Sequence, residues 1–172
     1  MELKENISFT KEECEYIIEL TEKLPMIEPY ISKSDKFKVS YTTWKLILDD
    51  NSRWIFDKIT QFFTSKTNLK IKKELSTIYI HKYNVGQQFE KHNDTHYKTQ
   101  IHNVGVCLND DYEGGEFILY DPEEPIPKKQ GNIYTFTSFR FHEVKQIVKG
   151  ERWSIIGFLH MENIDFTNKT LI

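Results

Sequence analysis

Tyr83-Asn-Val-Gly-Gln-Gln-Phe-Glu-Lys-His92-Asn93-Asp94 and, fifty residues beyond its histidine, His142-Glu-Val-Lys-Gln-Ile-Val-Lys-Gly-Glu-Arg152-Trp153 are the stretches that decide how this chain folds. In an extended segment residues i and i+2 point the same way, so His92 and Asp94 aim an imidazole and a carboxylate at one point while Asn93 faces elsewhere. An imidazole from His142 would complete a set of two histidines and one carboxylate. Such a set occupies one face of an octahedral ferrous ion and leaves three positions open. Ten residues further on, Arg152 offers a planar fork that stays charged in a pocket and grips a carboxylate through two hydrogen bonds. His-x-Asp alone is weak: a chain of 172 residues with six histidines carries one by chance roughly one time in three. The surrounding residues must decide.

Those surroundings read as β structure. Ser76–Tyr83, His102–Asn109, Glu116–Tyr120, Asn132–Phe136, Glu143–Val148 and Arg152–His160 are short and rich in Ile, Val, Tyr, Phe and Thr, which suits strands. Gly114-Gly115, Asp121-Pro122, Pro127 and Gly131 mark turns between them. Several evenly spaced strands predict a barrel or sandwich. Upstream the period is helical. Thr10 with Glu13 fits a capping box and Pro25 a stop, predicting a helix near 11–24. Asp50, Asn51 or Ser52 would cap a second helix near 53–65, where Ile55, Ile59, Phe62 and Phe63 share a face.

Composition sets outer limits. A chain of 172 residues, 38% hydrophobic and 14% aromatic, can bury one core, and no linker-like stretch divides it. One catalytic domain over 1–172 is expected, with 1–74 mainly helical support and 75–172 the β core that carries the site. A formal charge of −3 argues against a nucleic-acid partner, and the local lysines Lys66, Lys70, Lys72 and Lys73 read as a solvated helix end and loop. Cys14 and Cys107 have neither disulfide-framework nor zinc-site spacing, which suits a reducing compartment. With no signal-peptide pattern and no membrane-length apolar run, the expectation is a soluble, cytoplasmic protein.

Taken in order, the stretch 83–94, Val106-Cys-Leu-Asn109, Tyr112-Glu-Gly-Gly-Glu116, Pro127-Lys-Lys-Gln-Gly131 and the stretch 142–153 resemble the iron(II)- and 2-oxoglutarate-dependent dioxygenases of prolyl 4-hydroxylase type. Val39-Ser-Tyr-Thr-Thr-Trp44 is similar to the segment before the second helix in that family. The resemblance implies a mainly β fold with supporting N-terminal α-helices, the double-stranded β-helix or jelly roll. It implies Fe(II) on His92, Asp94 and His142, and the distal carboxylate of 2-oxoglutarate on Arg152. Tyr83 would line the co-substrate pocket, and Ser154, at i+2 from Arg152, could support the carboxylate. The implied reaction consumes O2 and 2-oxoglutarate, releases succinate and CO2, and hydroxylates an unactivated C–H bond, with L-ascorbate (vitamin C) as a candidate reductant. The implied substrate is a prolyl residue of a peptide or protein.

Some features depart from the pattern. Cys107 stands where some relatives carry a carboxylate-binding tyrosine, which shifts weight to Arg152. Gln130 is an addition to the Pro-Lys-Lys-Gly turn, and the step from Gly131 to His142 is short. Asp111-Tyr-Glu-Gly-Gly115 also resembles lysyl hydroxylases, so lysyl or free amino-acid hydroxylation on the same site is an alternative. A non-catalytic jelly-roll binding module and a zinc hydrolase are others, and an intact Arg152 weighs against both. His81, His96, His102 and His160 are assigned to surface or strand packing.

Overall fold

The computed structural model describes residues 7–27, 40–94 and 100–162. It contains helices α1 (Lys11–Glu22) and α2 (Arg53–Thr67). The strands are β1 (Thr42–Lys45), β2 (Thr77–Tyr83), β3 (Phe89–His92), β4 (Gln100–Cys107), β5 (Glu113–Gly114), β6 (Phe117–Leu119), β7 (Glu124–Pro125), β8 (Ile133–Thr137), β9 (His142–Val144), β10 (Ile147–Lys149) and β11 (Arg152–His160). A five-stranded sheet runs β1-β2-β11-β4-β8, a four-stranded sheet runs β3-β9-β6-β7, and β10 pairs with β5. Every pairing is antiparallel. This is the jelly roll with N-terminal helices.

Strand alternation sorts side chains onto two faces of the larger sheet. Ile78 and Ile80 of β2, Val104 and Val106 of β4, and Trp153 and Ile155 of β11 point outward, packing with Ile17 of α1 and Ile55, Ile59 and Phe63 of α2. The opposite face turns Tyr83, Cys107, Tyr134 and Phe136 toward Phe117, Leu119 and Val144 of the smaller sheet. The helices thus seal one face, and the second sheet closes over the other.

Helix α1 begins as expected: the Thr10 backbone N–H donates to Glu13 Oε2 at 2.7 Å and Glu13 N–H donates to Thr10 Oγ1 at 3.2 Å. It ends at Glu22, two residues short of the predicted limit. Ser52 occupies the N-cap of α2, but its hydroxyl donates backward to Ile47 O at 2.5 Å and makes no capping bond. That helix runs on to Thr67, where Asn68 closes it in the left-handed conformation.

The predicted strand Glu143–Val148 is a correction. It is two strands, β9 and β10, which pair with different partners. Between them Gln146 O accepts from Gly115 N–H, and the β10–β5 register shifts between Ile147 and Lys149. Strands β1, β3, β5 and β7 lie outside the predicted segments; each has two to four residues with little apolar alternation.

Candidate metal centre and anion pocket

His92 ends β3 and His142 begins β9, and the register sets the two directly opposite. Their rings lie 4.2 Å apart between centroids. Each Nδ1 is within reach of a backbone carbonyl, His92 of Glu90 O at 2.7 Å and His142 of Arg140 O at 3.0 Å. A carbonyl can only accept, so each Nδ1 carries the proton and each Nε2 keeps its lone pair. Both lone-pair nitrogens face Asp94: His92 Nε2 is 3.6 Å from Oδ1 and His142 Nε2 is 3.3 Å from Oδ2.

Asp94 is itself held. Its backbone N–H donates to Ser138 O at 2.9 Å, and Asn103 Nδ2 donates to Oδ2 at 2.6 Å. Ser138 Oγ donates to Asn103 Oδ1 at 3.2 Å, which fixes the amide. Phe89 stacks on the His92 ring at 3.7 Å, and Phe136 stands edge-on to His142 at 4.8 Å. The three donor atoms lie within 4.8 Å of one another. Adjacent ligands of a small divalent ion sit about 3 Å apart. Two imidazole nitrogens and a carboxylate oxygen at these separations fit such an ion with modest contraction.

Arg152 begins β11, opposite Tyr83 on β2. The guanidinium is almost wholly buried, its Nη1 donates to Ser154 Oγ at 2.6 Å, and it lies 5.4 Å from the Tyr83 ring centroid. Its Nε has no hydrogen-bond partner, and no carboxylate among the described residues pairs with it. Burial opposes the charge, yet the Tyr134, Tyr112 and Tyr83 hydroxyls and the Cys107 thiol hold its pKa above the ordinary value. A buried cation without a counter-ion is costly, and an incoming anion relieves that cost. The donor set fits a carboxylate.

Two glycines make room for this pocket. A Cβ on Gly115, which has a φ of +66°, would meet the Arg152 side chain at 3.2 Å. A Cβ on Gly105 would collide with the Tyr134 ring. A chain of rings then connects pocket to metal centre: Tyr83 to Tyr41 at 5.3 Å, Tyr41 to Phe89 at 5.6 Å, and Phe89 to His92.

The sequence profile of the 2OG-Fe(II) oxygenase superfamily matches residues 78–160, which hold the three donors and Arg152 together. Residues 78–160 thus carry the signature of this superfamily. That match makes the protein a dioxygenase and implies Fe(II), 2-oxoglutarate and O2. Among curated proteins none matches the sequence. Solved structures share the fold of this 2OG-Fe(II) oxygenase. A 2OG-Fe(II) oxygenase family oxidoreductase from Burkholderia pseudomallei superposes with a TM-score of 0.70 at 18% identity, covering 88% of this chain and 80% of that one. A viral collagen prolyl hydroxylase from Paramecium Bursaria Chlorella virus-1, in complex with 2OG, gives 0.68 at 18% identity over 88% and 91%. A prolyl hydroxylase from Trichoplax adhaerens, in complex with a hypoxia inducible factor oxygen degradation domain peptide fragment, gives 0.69 at 15% identity over 85% and 75%.

His92, Asp94, His142, Arg152, Tyr83 and Ser154 thus all line the dioxygenase interior. Cys107 does too, opposite Ser154. Tyr112 and Gly115 pack beside Arg152, so the lysyl-hydroxylase-like segment lies at the anion end and says little about the substrate. Asn103 escaped the sequence reading; its signal was a buried amide immediately before the apolar run Val104–Val106. His81 shares a strand face with Tyr83 and stands opposite Ser154. His96 lies outside the described residues. Among the described residues no helix is long and apolar enough to cross a membrane.

Proposed function

We propose that this dioxygenase hydroxylates a prolyl residue of a peptide or protein, releasing succinate and CO2, with L-ascorbate as auxiliary reductant. His92, Asp94 and His142 are the proposed iron ligands, and Arg152 and Tyr83 the proposed co-substrate contacts. Residues 1–172 are proposed to act as one catalytic domain. The observation that carries the reading is the buried guanidinium of Arg152, without a carboxylate partner among the described residues, in the same interior as two histidines and one aspartate. A binding module needs no such pair of sites.

When bound, iron supplies the oxygen activation that no side chain here can perform. The chain's own residues do the rest. The Glu90 and Arg140 carbonyls keep both Nε2 lone pairs turned to the metal position, and Asn103 keeps the Asp94 carboxylate in place. Arg152, braced by Ser154, takes the distal carboxylate and so fixes the direction in which 2-oxoglutarate lies. Phe89, Phe117 and Phe136 crowd the histidines and exclude water from the reacting centre.

A peptide substrate is supported by the approach to β9. Phe139 and Phe141 are exposed on either side of Arg140, three residues and one residue before His142. Arg140 itself is anchored to Tyr120 O at 2.9 Å and Pro122 O at 2.8 Å. Two exposed rings on an anchored segment beside a metal ligand offer apolar footing for an extended chain. The prolyl assignment also draws on the prolyl hydroxylases that share the fold.

Anaerobic Fe(II) plus 2-oxoglutarate should give a visible charge-transfer band, and mass spectrometry of a peptide library should then show added oxygen on proline. A folded protein with neither band nor succinate formation contradicts the dioxygenase chemistry. Added oxygen on lysine, or only on a free amino acid, rejects the prolyl assignment alone.

A further inference from the structure

One polar side chain in the interior is unused by the chemistry above. On β2, Ile78 and Ile80 pack outward with the helices and Tyr83 packs inward, so strand alternation turns His81 inward with Tyr83. The register sets His81 opposite Ser154 and, on its other edge, opposite Thr43. Ser154 is the residue that receives the Arg152 hydrogen bond and also stands opposite Cys107. One row, His81–Ser154–Cys107, therefore crosses the sheet next to the row that carries Arg152 and Tyr83. Further along β4 comes Asn103, the residue that holds Asp94. His81 thus flanks the path from the anion pocket to the metal centre.

The ring of His81 is clamped but its nitrogens are not satisfied. Tyr41 lies against it at 4.4 Å between centroids and Tyr83 stands edge-on at 6.3 Å. Among the described residues neither nitrogen has a hydrogen-bond partner, and the residue is half-buried. The side chain keeps partial solvent contact while burial, then the Arg152 charge, push its pKa down to about 3, against the pull of Asp94. A neutral imidazole has one donor and one acceptor. A core that needed only a flat ring would be served by phenylalanine without the cost of an unmet polar group.

We propose that His81 is a further co-substrate-binding residue, donating a hydrogen bond to the 2-oxo dicarboxylate that Arg152 holds. The inference rests on the 2-oxoglutarate site assigned above and adds a second protein donor to it. Arg152 and Ser154 set the far end of the ligand; His81, one row along and on the neighbouring strand, limits how the ligand pivots about that end. Tyr41 fixes the ring's plane, so the bond needs little further ordering.

The test is calorimetric titration of 2-oxoglutarate into the full chain loaded with Mn(II), which binds without turnover. His81→Phe keeps the ring and removes the donor; His81→Gln restores a donor on a flexible stem. The expected result is a Kd raised about 10-fold or more in His81→Phe, mostly recovered in His81→Gln, with Mn(II) affinity and melting temperature held in both. Equal 2-oxoglutarate affinity in His81→Phe and the parent overturns the proposal. So does a loss that tracks weakened Mn(II) binding, or one that His81→Gln does not repair, since either marks a packing role. A parent protein that takes up Mn(II) but no 2-oxoglutarate overturns the co-substrate site itself, an outcome separable from failure at His81.

Discussion

The two faces of the five-stranded sheet are built from the same strands to opposite ends. Outward, β2, β4 and β11 present Ile78, Ile80, Val104, Val106 and Ile155 to the helices, each almost fully buried and apolar. Inward, the alternate positions carry Tyr83, His81, Cys107, Asn103, Arg152 and Ser154. The outer face stabilises: each such aliphatic side chain removed from water contributes about 1.5–3 kcal/mol. The inner face spends some of that stability on a buried guanidinium and unmet polar groups. The difference teaches that fold and chemistry are separable here by strand parity, so substitutions one residue apart should have unlike consequences.

The largest effect belongs to the inner face. His142→Ala removes one of three proposed ligands and should weaken Fe(II) or Mn(II) binding about 100-fold or more, abolishing the anaerobic charge-transfer band. The fold should survive, because the outer packing is untouched; near-unchanged far-ultraviolet circular dichroism is the check. Retention of the band in this variant would remove His142 from the metal centre.

Arg152→Met comes next and separates the faces more sharply. Loss of a buried charged donor should weaken 2-oxoglutarate binding on the order of 100-fold. Yet the ligand-free protein should melt no lower than the parent, since a buried cation with no carboxylate partner is replaced by an apolar chain. A lower melting temperature would mean that Arg152 holds the fold. Ile155→Ala, on the same strand with the opposite parity, should do the reverse. A cavity under the helices should cost about 2–5 kcal/mol in urea unfolding, while 2-oxoglutarate affinity measured well below the melting temperature stays the same.

Much of this division can be read from the chain. The capping box at Thr10 and Glu13 is local, and it formed. The alternation of Arg152–His160 is long and regular, and that strand keeps its predicted bounds. His92 ends β3, His142 begins β9 and Arg152 begins β11, with Asp94 two residues beyond β3, so strand register gathers residues that the spacing had singled out. What stayed hidden depends on partners far away in sequence. β3 is polar and four residues long, and is a strand only because it pairs with β9. The split of Glu143–Val148 follows from a change of partner strand that no local pattern announces. Asn103 earns its role through Asp94, nine residues upstream, and Ser138, thirty-five downstream.

His102 breaks the pattern of the outer face and gives the smallest expected effect. It neighbours Val104 by parity and meets Phe63 of α2 edge-on at 5.3 Å, with its Nδ1 buried and unpartnered. Burial lowers its pKa, outweighing the Phe136 backbone, which raises it. The folded protein therefore holds this imidazole neutral at pH values where the unfolded chain would protonate it. Because the unfolded state binds the extra proton, stability falls as the pH drops below the unfolded value of about 6.5 and continues to fall toward the lower folded value. His102→Leu removes that loss and fills the site with an apolar group. Urea midpoints of the two proteins should lie close together at pH 8, with the variant ahead by a margin that widens steadily from pH 6.5 downward. Parallel midpoint profiles would show that His102 reaches water, and that the outer face is less dry than its aliphatic neighbours imply.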